Sequence, residues 1–377
     1  MGCTMLLYLV FGLIFWLSLL IIPKINARSK LIFTFLTVLE WILFAGSTGS
    51  PDYYNYSSMY YGREATYKSS EVLYYLVSDL FKGIGFSYVA FNAVLIGASL
   101  LALCHAASLL VGEKPIFLLM YLVWPGLIDW VQVRNMLAMA LLTWAVACLI
   151  TDTKRGKLKF VILIAIAAGF QIIAIAYFPI VMLQDIMPKY KHNKKSKRMF
   201  LLGIAALAVL SAVPQSVFLS IARMVTAIGS SFDGRLSYYL NSTVKYGYLM
   251  NWAIQIANYI FARWAKIIAD KRQMNKNLTS YKVIELMEYI NLYMFVFFPL
   301  YRLNTNFLRL TRNLIPLMYL DLIALNGTYR LKVRKMKMEQ FMFTAAFIFY
   351  VAMVMVVQLI VPHWNDVVMP LINERLF

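Results

Sequence analysis

The sequence predicts an all-α polytopic membrane protein. Of its 377 residues 62% are hydrophobic and 14% charged, too little polar surface to cover a water-soluble core. Apolar runs near the length needed to cross a hydrocarbon layer of about 30 Å recur along almost the whole chain. Lys-rich connections punctuate those runs, the pattern by which such chains orient in a bilayer. A separate soluble domain has no room, so residues 1–377 read as one integral membrane domain.

Taken in order, the apolar segments fall at about 5–22, 31–45, 86–111, 115–128, 135–150, 160–183, 199–222, 248–268, 283–301, 309–326 and 341–361. The first has no basic region ahead of it and is followed by Lys24, Arg28 and Lys30, which predicts an anchor with an outside N-terminus rather than a cleaved leader. Six connections are basic, at 23–30, 112–114, 151–159, 184–198, 266–282 and 327–340, and all six are expected inside. One straight helix over 160–183 would put the most basic loop, 184–198, outside. The segment is therefore expected to enter and return. "AAGFQIIAIAYFPIV" supplies Gly169, Gln171 and Pro179, the punctuation of a broken or re-entrant helix pair, and such a break survives where it lines a cavity. The expected topology is about ten crossings plus this pair, both termini outside, and outer loops at about 46–85 and 223–247.

The net charge of +19 carries a different meaning once it is sorted by side, and it does not call for nucleic acid. Eighteen Lys and seven Arg fall inside, against eight Arg and three Lys outside. The inner lysines orient the chain. The outer arginines suit a phosphorylated ligand, because a guanidinium forms paired, charge-assisted bonds to phosphate oxygens. Cys3, Cys104 and Cys148 lie in or beside apolar segments without metal-type spacing, and His105, His192 and His363 form no cluster. Phosphate-loop, zinc-protease, nucleophile-elbow and dinucleotide fingerprints are absent, and neither metal nor cofactor is expected.

Four outer stretches could carry chemistry. In "YRLNTNFLRLTRNLIPLMYLDLIAL" a helix would align Arg302, Asn306, Arg309 and Asn313 in one polar stripe with Arg312 beside it. An arginine below headgroup level costs at least about 2.5 kcal/mol unless it is satisfied. "DWVQVRNMLAMALL" opens a helix on Arg134, flanked by Gln132 and Asn135. "SSFDGRLSYYLNS" offers Arg235, Tyr238 and Tyr239 in an outer loop. Lastly, "GSTGSPDYYNYSSMYYGRE" sets Asp52 beside Tyr53 and Tyr54, with Glu71 following. Tyrosine faces stack on sugar rings, and a carboxylate near a sugar hydroxyl serves as a general base. An interfacial aromatic belt would use the same tyrosines.

These pieces, in this order, resemble the EpsG/Wzy-type bacterial polysaccharide polymerase family. The resemblance rests on "STGSPDYYNY", "EVLYYLVSDLF", "VRNMLAMALL" and the late "RLN…R…R" leading into "IPLMYL". Two positions depart from the family's habit: Asn135 follows Arg134 where Gln is frequent, and Gln171 stands where His is frequent in the broken segment. The resemblance implies a GT-C-like glycosyltransferase that draws a glycan from undecaprenyl diphosphate at the outer face of the plasma membrane. It further implies that Arg134, Arg302, Arg309 and Arg312 stabilise the diphosphate, with Asp52, then Glu71, as the base. A flippase and a chain-length regulator are the partners such a reaction would have. Two other readings compete. A transporter of lipid-linked saccharide predicts internal repeats, and no convincing ones are found. A ligase of the O-antigen type differs in its acceptor more than in its chemistry.

Overall fold

The computed structural model describes residues 30–49, 51–62, 71–112, 114–192, 247–327 and 338–373, together with isolated positions between 202 and 220. The expected crossings at 5–22 and 199–222, apart from those isolated positions, lie outside the described residues, as do Arg235, Tyr238 and Tyr239. The described elements form a helical bundle. Its long members are α1 (Lys30–Ala45), α2 (Pro51–Tyr60), α3 (Val72–Gly83), α4 (Tyr88–Leu110), α5 (Pro115–Tyr121), α6 (Val133–Thr151), α7 (Gly156–Phe170), α8 (Ile180–His192), α9 (Gly247–Lys271), α10 (Thr279–Tyr293), α11 (Ile315–Gly327) and α12 (Met338–Met355). Four helical stretches among the described residues are long and apolar enough to cross a membrane: Tyr88–Leu110, Val133–Thr151, Thr279–Arg302 and Met338–Leu371. Leu31–Ala45, Pro115–Asp129 and Ile172–Ile186 are shorter apolar stretches.

Sequence explains the local geometry at several ends. Ser87 caps α4 by accepting a bond from the Ala90 N–H at 3.3 Å, satisfying one of the donors that every helix start leaves open. Pro115 opens α5, where its missing N–H costs nothing. At Trp124 the backbone turns extended (φ −161°, ψ 130°), so the expected single crossing at 115–128 is kinked. α6 is the centre of the bundle, buried along nearly its full length between α4 and α7. Gly156 lets α7 start against α6, since a Cβ there would lie 2.6 Å from the Cys148 carbonyl oxygen.

The broken segment is the clearest agreement with the sequence. Helix α7 ends at Phe170, Gln171 is extended (φ −145°, ψ 107°), a 3-10 turn runs over Ile172–Tyr177, and α8 begins at Ile180 after Pro179. Lys157 at the start of α7 bonds Asp185 in α8 at 2.5 Å across 28 residues. A straight helix of that length would separate them by about 42 Å, so the chain enters and comes back. The break falls at Gln171; Gly169 itself remains helical. Its task is close approach, because a Cβ there would lie 2.5 Å from Leu73 on α3.

Other cross-links set the two ends of the bundle. At one end Lys271 bonds Glu339 at 2.8 Å, joining the end of α9 to the start of α12. Nearby, buried Lys266 is held by Asp270 and by the Tyr281 hydroxyl at 2.8 Å. At the other end the Ser47 hydroxyl donates to the Leu371 carbonyl at 3.2 Å, bringing the connection after α1 beside the last described segment. That second end holds the candidate site.

Candidate active site

Two Arg-Asn dipeptides build the centre. Arg134-Asn135 opens α6, and Arg312-Asn313 closes the short turn of helix Arg309–Arg312. Asn135 donates to Asn313 Oδ1 at 2.9 Å and Asn313 donates back to Asn135 Oδ1 at 3.1 Å, both side chains fully buried. This two-bond clasp joins residues 178 apart in sequence and fixes the two arginines as neighbours. A matching pair of short amides closes the contact.

Each of these arginines is already held. Arg134 forms an ion pair with Glu71, at the N-cap of α3, and its guanidinium lies 4.7 Å from the Tyr56 ring centroid and 5.1 Å from that of Tyr74. Cation–π contacts of this kind contribute about 0.5–2 kcal/mol each. Arg312, 6% exposed, donates to Gln132 Oε1 and approaches the fully buried Asp129 at 3.5 Å. Asp129 in turn accepts from the Tyr121 hydroxyl at 3.4 Å. Removing either acid would leave a desolvated guanidinium without its counter-charge, the expensive half of a broken buried pair.

Arg309 and Asp52 differ. Arg309 is half-buried and, among the described residues, its guanidinium has no hydrogen-bond or ion-pair partner. Asp52 sits in the first turn of α2, half-buried, within electrostatic reach of Arg309 and Arg134 and with no direct bond to either. Burial raises the pKa of its carboxyl above the ordinary aspartate value, while Arg309 and then Arg134 pull it back down. Beside it, Tyr53 packs edge-on to Tyr88 with centroids 5.1 Å apart, and Tyr54 is exposed.

The remaining predicted residues are more scattered. The stretch 301–325 is not one helix: Asn304 turns extended and caps a 3-10 turn over Thr305–Leu308 by accepting from the Asn306 N–H at 2.8 Å. That break dissolves the expected stripe. Arg302, at the end of helix Phe298–Leu303, lies 5.7 Å from the Tyr248 ring on α9, and Asn306 is exposed. Gln171 makes no side-chain bond to the arginine cluster among the described residues. Its broken segment instead delivers Tyr177, whose hydroxyl donates to the Leu310 carbonyl at 3.0 Å. Sequence reasoning missed Asp129, Tyr121, Tyr56 and Tyr177. Asp129 did leave a signal, an acid ending an apolar run five residues before Arg134. The tyrosines left none, because a belt of interfacial aromatics would read the same.

A family model describing the EpsG family matches residues 30–371, nearly the whole chain. The chain belongs to the EpsG family. No curated protein and no solved structure matches it. EpsG-family membership, with the four spanning-length helices, identifies a membrane protein of the polysaccharide-polymerase type. Every described site residue lies inside the EpsG match.

Proposed function

We propose that this chain is a metal-independent glycosyltransferase that polymerises oligosaccharide repeat units carried on undecaprenyl diphosphate at the outer face of the bacterial plasma membrane, yielding a capsule or exopolysaccharide. In this reading the bundle is GT-C-like, with about ten crossings, the broken pair and both termini outside. One observation carries it: two arginines are locked by their own carboxylates, while Asp52 and Arg309 stand near each other unbonded. The locked pairs shape the field and the open pair does the work.

The acceptor sugar hydroxyl gives its proton to the Asp52 carboxylate as its oxygen attacks the anomeric carbon of the donor glycan. The bond from that carbon to the diphosphate oxygen breaks, and the electron pair leaves with the lipid diphosphate. Arg309 donates hydrogen bonds to the oxygen where charge develops, and Arg134 and Arg312 add positive potential from fixed positions. Glu71 orients Arg134, a role its ion pair favours over that of base. Asp129 and Gln132 orient Arg312. Tyr53 and Tyr54 offer faces for the sugar, and Arg302, Asn306 and Gln171 are assigned to substrate binding, together with Arg235, Tyr238 and Tyr239, which lie outside the described residues. A flippase supplies the substrate and a chain-length regulator limits the product.

Purified protein given lipid-diphosphate repeat units in liposomes is expected to lengthen the glycan with no energy source. Transbilayer movement without longer glycans would establish a transporter instead. Arg309→Lys keeps the charge and loses the fork, so chain extension should fall about 100-fold or more while insertion stays normal. Near-normal polymer from that variant would remove Arg309 from the diphosphate.

A further inference from the structure

At the end of α6 opposite Arg134, 17 residues and about 26 Å along the helix, the bundle opens a pocket of roughly 530 Å³. Its floor is apolar, made by Leu149, Ile150 and Leu286, and its rim carries Lys154, Lys157 and Lys282. The two acids at the rim are already engaged. Asp152 accepts from Lys159 at 2.7 Å and from the Arg155 N–H at 2.9 Å, and Lys159 first among these holds its carboxyl down at about 2. Glu285 accepts from the Tyr289 hydroxyl at 3.0 Å. Lys157 is bound to Asp185, but the ammonium groups of Lys154 and Lys282 have no hydrogen-bond or ion-pair partner among the described residues.

Helix direction sharpens the imbalance. Lys157 lies in the first turn of α7 and Lys282 in the first turn of α10, and neither turn contains an acid. Cations at these ends oppose the helix dipole, an arrangement that an anion in the pocket would reverse into attraction. A basic pocket between helices over an apolar floor has the chemistry that receives an anionic lipid headgroup.

We propose that this pocket binds a phosphoryl headgroup through Lys154 and Lys282, with its apolar floor taking the adjoining carbon chain. The charge rule places these loops, 151–159 and 266–282, on the cytoplasmic side, so the ligand comes from the inner leaflet or from a soluble phosphorylated compound. The site stands apart from the proposed glycosyl transfer and does not depend on it.

Full-length protein in mild detergent, followed by thermal shift and native mass spectrometry, tests this. Phosphatidylglycerol should raise the melting temperature saturably, and phosphatidylcholine should not. Lys154→Gln with Lys282→Gln should weaken phosphatidylglycerol binding about tenfold or more, while Lys276→Gln, in the same loop region but off the rim, leaves it unchanged. Lys154→Arg with Lys282→Arg should retain binding, which separates lost charge from lost fold. A saturable shift with glycerol 3-phosphate alone, also lost in the Gln pair, would support the site with a soluble source. Wild-type affinity for both phosphatidylglycerol and glycerol 3-phosphate in the Gln pair, or no saturable binding of either by the wild type, would overturn it.

Discussion

Among the described residues three guanidinium groups and three carboxylates meet at this site, and one of each is at liberty. Arg134 and Arg312 are spoken for by Glu71 and Asp129, whereas Asp52 is partly buried and bonded to neither Arg134 nor Arg309. An ionised carboxylate that has lost hydration without gaining a direct partner is a better proton acceptor than one in water. If Asp52 is the base, the rate should rise with pH through a raised aspartate pKa, so the acidic limb lies above the ordinary value of about 3.9. In Asp52→Asn the limb should vanish together with most of the rate; a limb that survives unchanged in residual activity would reassign the base. Stability runs the other way. A raised folded pKa means that the contribution of Asp52 is full below the unfolded value and is lost as pH climbs through the folded one, so Asp52→Asn should unfold at higher temperature than wild type at neutral pH.

The elements around these residues are held by contacts that the sequence half reveals. Breaks were legible: Gln171 and Pro179 announced a segment that turns back, and Lys157–Asp185 closes it. Residue periodicity failed at 301–325, where a helical stripe was expected and Asn304 interrupts, because an Asn side chain can cap a new turn as readily as it can ride a helix face. Partners across the chain were not legible. Asn135 and Asn313 each look like a neutral flank to an arginine, and only three-dimensional packing makes them a clasp. Asn135→Ala and Asn313→Ala should each destabilise the protein by about 1–3 kcal/mol, since each leaves a buried amide unpaired. The double variant should cost much less than the sum, because the second change removes the orphan created by the first. Additive losses in a thermal or denaturant double-mutant cycle would show that the amides do not act as a pair.

Across the whole molecule, the all-helical membrane class was legible in composition, which depends on the bilayer and hardly at all on side-chain packing, whereas the sorting of Lys and Arg by side rests on the proposed orientation. The arginine cluster was legible as a group of candidates, but its division into locked and open members depends on distances no one-dimensional pattern contains. The proposed orientation is open to direct test. With native Cys removed, cysteine at Thr153 should react with a membrane-impermeant maleimide only after the inner face is exposed, and cysteine at Tyr54 should react in intact cells. The reverse pattern would invert the bundle and move the site to the cytoplasm. A final consequence follows from the bond between Asn135 and Asn313, partners 178 positions apart. Closing so long a loop must wait until the ribosome has delivered the later dipeptide and the translocon has released it. Nascent or truncated chains that stop short of it would carry only one half of the clasp, so the two arginines become neighbours late in synthesis.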